Sequence, residues 1–225
     1  MRTPSPKAST EKLRGLSIYT GAKLASEPEL KDLATLLEEG EAELALADTG
    51  IEAATRAALV QQALRDKADR EADAKTRGVF NAARTVDGTS GGKAGPKQKS
   101  LFAKGLLGVT AVPLDEQPGA MMVLASLLAA DADPTLSAHA PVITAAATKL
   151  KEAVDAYNAA TQGVAVAWGQ VMRARQAWIR LYEKVYGELV VRLGKRSAEA
   201  YFKAPKKLPK PQEPVLPTPP TPTPA

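Results

Sequence analysis

Apolar and aromatic side chains recur at alternating spacings of four and three residues in the later part of this 225-residue chain. The series, with Arg175 as its charged member, is Val164, Trp168, Val171, Arg175, Trp178, Tyr182, Val185 and Leu189. This period places one broad apolar face on an α-helix, and such a face needs other helices to cover it. The pattern predicts a helix over about 141–201, roughly 90 Å long, with a bend or break near Gly163 or Gly169.

The composition favours the same class of fold. Aromatic residues make up only 4% of the chain although 44% is apolar, because alanine is abundant. Small apolar side chains suit closely packed helices better than a β-sandwich. The chain has no cysteine, which excludes disulfides, thiolate metal sites and a cysteine nucleophile. We therefore predict an all-α protein.

Two stretches ninety residues apart resemble each other. "RGLSIYTGAKLASEP" (14–28) and "KGLLGVTAVPLDEQP" (104–118) share a basic residue, Gly-Leu, then Thr, Leu and Pro in register. One inserted residue later, "LATLL" (33–37) matches "LASLL" (124–128). The similarity predicts an internal duplication, with repeat A over 12–86 and repeat B over 101–203.

Each repeat is predicted to hold a leader, a short helix and a long helix, which together give an antiparallel four-helix bundle. In repeat A the short helix runs from about Pro28 to Leu46. A break follows near Thr49, whose side chain forms a capping box with Glu52. Pro141 aligns with Gly50, so both repeats are expected to break at the same place.

The leaders are predicted to act as structural caps. The two glycines permit turns and the leucines that follow close the end of the bundle, at Gly15, Leu16, Gly105 and Leu106.

The segment "RDKADREADAKTR" (65–77) has nine charged residues in thirteen. Acid-before-base pairs at i,i+4, such as Asp73 with Arg77, support a helix there. Ala68 and Ala72 are expected to pack at short distance against the small apolar residues of 157–172. The alternative is a helical arm that projects past the bundle.

Three segments are predicted to be unfolded. These are a flexible N-terminus (1–11), a Gly/Ser/Lys linker (87–100) and a disordered tail (204–225) with nine prolines, typical of polyproline II.

No motif specifies catalytic, cofactor-binding or metal-ligating residues. "GTSGGKAG" (88–95) has the wrong spacing for a phosphate loop and lacks its hydroxyl residue. His139 is the only histidine, which excludes multi-histidine zinc sites and di-iron bundles, and it is expected in a turn or cap. The acidic residues of 38–48 lack the spacing of a calcium loop and indicate a solvated helix face.

Two sets of residues are candidates for binding. The first is a face that could pack in the core or meet a partner: Trp168, Arg175, Trp178, Tyr182 and Tyr186. The second could contact anions in the basic C-terminal part, where residues 141–225 sum to +7: Arg173, Arg180, Arg192, Lys195 and Arg196.

The sequence predicts a non-enzymatic structural or protein-interaction module that acts by helix-face association, with itself or with another protein. The alternative is a basic helical protein that associates with nucleic acid. An enzyme using a carboxylate would need a deep polar cavity with buried acids. The longest apolar run, 120–130, is too short to cross a membrane and no secretory leader is evident, so a cytoplasmic protein is expected.

Overall fold

The computed structural model describes residues 4–5, 8–88 and 93–202, and throughout these residues the regular structure is helical. The all-α prediction is confirmed. The α-helices are α1 (Thr10–Ala25), α2 (Lys31–Val86), α3 (Pro96–Leu101), α4 (Leu107–Thr110), α5 (Gln117–Ala129), α6 (Pro134–Ser137), α7 (Ala140–Leu193) and α8 (Lys195–Tyr201). A 3₁₀ turn over Pro28–Leu30 precedes α2.

The chain divides into two compact units. The terminal unit combines the residues up to Leu44 with those from Arg175 onward, and the central unit is Ala45–Ala174. Both predicted repeats, 12–86 and 101–203, contribute residues to both units. The predicted four-helix bundle and internal duplication are not confirmed.

The helix break predicted near Thr49 is wrong, because α2 continues for 56 residues through this position. The Thr49 hydroxyl donates a hydrogen bond to the Ala45 carbonyl one turn earlier, as a threonine inside a helix does. Gly50 alone costs a helix only about 1 kcal/mol, and the alanine-rich flanks carry the helix past it.

The corresponding break in the second half of the chain is present. The helix α5 ends at Ala129, and the Asp133 carboxylate caps the short α6 by accepting from the Thr135 amide at 2.8 Å. The next helix, α7, starts at Ala140 with Pro141 in its first turn, where a missing N–H is harmless. The aligned sites therefore differ, since the prolines and capping acids occur only in the second.

The break predicted at Gly163 or Gly169 is also misplaced. The helix α7 passes through both glycines and ends at Leu193. Gly194 follows with φ +79°, a left-handed conformation that glycine adopts without strain, and α8 begins directly after it.

The terminal unit packs α1, the start of α2, the end of α7, and α8 around leucines and two aromatic rings. The Trp178 indole stacks on Tyr182 with ring centroids 4.7 Å apart, and the phenol ring meets Phe202 edge-on. The Arg192 guanidinium forms two hydrogen bonds with the Asp32 carboxylate, at 2.9 and 2.6 Å. Hydrogen bonding to the Arg192 guanidinium holds the pKa of Asp32 below its usual value.

The core of the central unit lies where α5 and the short helices cover α2 and α7. Its largest members are Leu101, Phe102, Met121, Leu124, Leu128, Leu136, Ile143 and Leu150. Ala68 and Ala72 are buried in this core, as expected. They face an earlier stretch of α7 than predicted, because Glu71 pairs with Lys149 at 2.5 Å and Ala68 and Ala72 line a groove together with residues 141–149.

Parts of the segments predicted to be unfolded are ordered. Residues 96–100 of the predicted linker belong to α3, and the Asp87 carboxylate caps this helix by accepting from the amides of Lys97 and Gln98, both at 2.9 Å. In the predicted flexible N-terminus, Ser9 caps α1 and Thr10 is buried. Residues 1–3, 6–7, 89–92 and the predicted tail 204–225 lie outside the described residues.

The two leaders also differ from each other. Gly15 lies inside α1, so it makes no turn, and its predicted capping role is wrong. Gly105 does make one, with φ +71° between α3 and α4. Leu16 and Leu106 are both half-buried.

Candidate interaction surface

The middle part of α2 has two apolar faces. One faces α7 and consists of half-buried residues at heptad spacing: Ala47, Ile51, Ala54 and Ala58. The second, which we call the outer stripe, has the same spacing of four and three and consists of Leu46, Gly50, Ala53, Ala57, Val60 and Leu64. All of its members lie in the central unit.

The outer stripe is open to solvent. Its large side chains are 75% (Leu46), 53% (Val60) and 50% (Leu64) exposed. Between Ala45 and Lys67 no residue of α2 is fully buried. Helix α2 therefore has a covered face and an uncovered apolar face along the same stretch.

The antiparallel partner of this stretch is the later part of α7 in the central unit. The Arg65 guanidinium lies 4.2 Å from the centre of the Tyr157 ring, which fixes the register of the two helices. Val166, Trp168 and Met172 are all exposed here, Trp168 to 50%. Exposed apolar side chains therefore occur on both helices.

A further exposed apolar surface lies on α5, which has no charged residue. Its buried side holds Met121, Leu124 and Leu128, whereas Met122, Val123 and Leu127 are exposed. Met122 also lines an open groove of 430 Å³ together with Pro118, Val154 and others.

The aromatic face predicted from the sequence is divided by the structure. Trp178 and Tyr182 are 1% and 2% exposed, so they belong to the core of the terminal unit and are not available to a partner. The Trp178 indole N–H donates to the Ser17 hydroxyl at 2.6 Å, and the Tyr182 and Thr20 hydroxyls lie 3.3 Å apart. Burial raises the pKa of Tyr182.

The remaining members of that face behave differently from one another. Arg175 donates to the Thr10 hydroxyl at 2.9 Å, and the Tyr186 ring meets Phe202 edge-on. Trp168 alone among the five has a half-exposed ring that could meet a partner.

The five predicted anion contacts do not form one site. Arg192 is held by Asp32 in the bidentate pair described above. The others are exposed, on α7 at Arg173 and Arg180 and on α8 at Lys195 and Arg196.

His139 lies between α6 and α7, where its carbonyl accepts from the Ile143 amide. Among the described residues, no group of three or more histidine or acidic side chains is arranged to hold a metal ion. No helix in the described ranges is both long and apolar enough to cross a membrane.

A polar cluster that the sequence did not indicate joins α2 to α5. Gln117 is 1% exposed and its side-chain amide donates to the Asp73 carboxylate at 2.9 Å. One turn earlier, burial and the nearby Asp73 charge raise the pKa of Asp69. Ionised Asp69 therefore destabilises the fold at neutral pH.

We expect Asp69→Asn to raise the melting temperature by a degree or two at pH 7, since about 1 kcal/mol shifts a protein of this size by 2–4 °C. The folded pKa of Asp69 lies above its unfolded value of 3.8, so the wild type becomes relatively more stable as the pH falls through the raised pKa. Below the unfolded pKa both proteins carry a neutral side chain and the difference should vanish. Thermal unfolding at several pH values checks this, and a variant less stable than wild type at pH 7 would contradict it.

The outer stripe was missed because the aromatic series of α7 gave a stronger signal. Its heptad spacing is nevertheless readable in the sequence, beside the series Ala47, Ile51, Ala54 and Ala58. Two interleaved apolar series on one helix indicate two partners rather than one.

The chain matches no protein-family model. No curated protein and no solved structure is significantly similar to it. The site must therefore be interpreted from its own geometry.

Proposed function

We propose that this protein is a non-enzymatic interaction module that binds protein chains through exposed helix faces. The outer stripe of α2 carries the proposal, because it repeats the heptad geometry of a helix-packing seam and no third helix among the described residues covers it. A helix face with this spacing suits a helical partner better than a small molecule.

Burial of the outer stripe by a partner would be favourable in free energy. Complete burial of a leucine or valine side chain contributes about 1.5–3 kcal/mol. The exposed fractions of Leu46, Val60 and Leu64 correspond to about 3–5 kcal/mol that a partner would recover, before the costs of association. Surface apolar residues are common singly, but a row in register marks an interaction site more often.

The grooves in the described part of the chain support binding rather than catalysis. The groove beside Met122 is open and most of its lining is apolar. Asp73 accepts a hydrogen bond from the side chain of Gln117, which joins α2 to α5, and Asp69 lies one turn away. This structural role explains the pair of acids, so no catalytic role is needed. A catalytic carboxylate would instead need a recessed polar cavity.

Association with nucleic acid has weaker support. Arg192 is committed to Asp32, and the other four basic candidates are spread over two helices and do not form one row. A phosphate-binding surface needs several free cations on one face.

Site-specific photo-crosslinking in cells that make the protein tests the proposal. A photoreactive residue at Val60 should give covalent adducts with protein chains, because this position lies in the outer stripe. The same residue at Gln62, exposed on the same helix but about 200° around its axis, is the matched control. Equal adducts from the two positions, or none from Val60, would refute the proposal.

A further inference from the structure

The outer stripe is complementary to itself in the reverse direction. With its centre between Ala53 and Ala57, the sequence Leu, Gly, Ala, Ala, Val, Leu runs against Leu, Val, Ala, Ala, Gly, Leu. Leu46 then lies opposite Leu64, Gly50 opposite Val60, and Ala53 opposite Ala57. Small alanines at the centre allow two helix backbones to approach closely.

The pairing of Gly50 with Val60 combines a gap with a side chain that fills it. A Cβ atom added at Gly50 would meet no other atom within 4 Å, so the space above this glycine is open. Val60 is exposed at the other end of the stripe. A second copy in antiparallel orientation brings each valine over the glycine of the other copy.

The charges beside the outer stripe fit the same arrangement. Glu52 and Arg56 are both exposed, and neither has an ion pair within the described residues. Antiparallel pairing about the same centre brings Glu52 of each copy to within about 3 Å, along the helix axis, of the level of Arg56 of the other. Parallel pairing would place each acid beside its own counterpart.

We infer that the occupant of the outer stripe is a second copy of this chain, paired antiparallel about a twofold axis near residue 55. Such an isologous interface requires one surface to be complementary to itself, which the stripe satisfies in shape and charge. The inference rests on the proposed function and names its partner.

The available surface suits a reversible dimer. The stripe covers residues 46–64, or about 27 Å of helix, and a single helix presents a face about 10 Å wide to a partner. Two such faces would bury about 500–600 Å² in total, which falls in the class of weak, transient interfaces. We therefore expect the dimer to dissociate in the micromolar range rather than the nanomolar.

Sedimentation equilibrium on the full chain over the micromolar range tests the inference. The mass should rise with concentration from 23.7 kDa toward twice that value. Gly50→Leu should raise the dissociation constant at least tenfold, because the leucine fills the space that Val60 of the other copy needs. Its melting temperature, measured on the dilute monomer, should equal or exceed that of wild type, since leucine favours a helix more than glycine does.

Gly78→Leu is the matched control, because Gly78 also lies on α2 with open space above it but outside the outer stripe. It should leave the dissociation constant unchanged. A wild-type chain that stays at 23.7 kDa, or a Gly50→Leu variant that dimerises like wild type, would overturn the inference.

Charge exchange tests the antiparallel direction. Glu52→Arg alone and Arg56→Glu alone should each weaken the dimer several-fold, and the double exchange should restore it. A double variant weaker than both single variants would overturn this arrangement.

The inference and the proposed function can fail separately. A monomeric chain that still gives adducts with other proteins from Val60 would remove the second copy as occupant and leave the interaction module. A monomeric chain with no adducts from Val60 would remove both.

Discussion

Trp178→Ala should lower the free energy of unfolding by about 3–5 kcal/mol, the range for truncation of a buried tryptophan. Trp178 is 1% exposed, stacks on Tyr182 and donates its indole N–H to Ser17. The variant loses the packing of the ring and leaves the Ser17 hydroxyl without this partner. Thermal or urea unfolding followed by circular dichroism measures the loss.

Trp168→Ala is the matched control for this prediction. It removes the same side chain from the same helix, but Trp168 is 50% exposed. Its cost should be about 1 kcal/mol or less. Equal losses from the two variants would show that Trp178 does not belong to a packed core.

Leu128→Ala should lower the free energy of unfolding by about 2–5 kcal/mol. Leu128 is fully buried in the core of the central unit, in α5. Truncation leaves a cavity that helices held by many other contacts cannot close. The same unfolding measurements apply.

The neighbouring residue provides the control. Leu127 is 43% exposed on the outer side of α5, so Leu127→Ala should cost about 1 kcal/mol or less. If both variants lost the same stability, the buried side of α5 would be wrongly assigned.

The helical class and much of α7 could be predicted from sequence, because heptad spacing determines which residues share a helix face. The burial of Trp178 and Tyr182 agrees with that pattern. The orientation of α5 could not be predicted, since it is apolar on every side and its sequence favours no face.

Helix boundaries in α2 were harder to predict than those near α6. The pair Thr49 and Gly50 resembles a helix start, yet no proline or capping carboxylate enforces a break there. At 131–141 prolines and Asp133 do enforce one. A glycine alone only weakens a helix, whereas proline removes a hydrogen bond.

The candidate interaction surface was only partly predictable from the sequence. The sequence predicted helix-face association but assigned it to the aromatic residues, which are the best core formers in this chain. The side chains left for a partner are smaller ones, such as Leu46 and Val60, whose exposure depends on where other helices end.

Hydrogen–deuterium exchange of the full chain at low and high protein concentration tests most directly whether a second chain covers the outer stripe. The predicted result is slower exchange within residues 46–64 of α2 at high concentration, with the exchange of α5 unchanged. Identical exchange of residues 46–64 at both concentrations, or new protection confined to α5, would contradict the account.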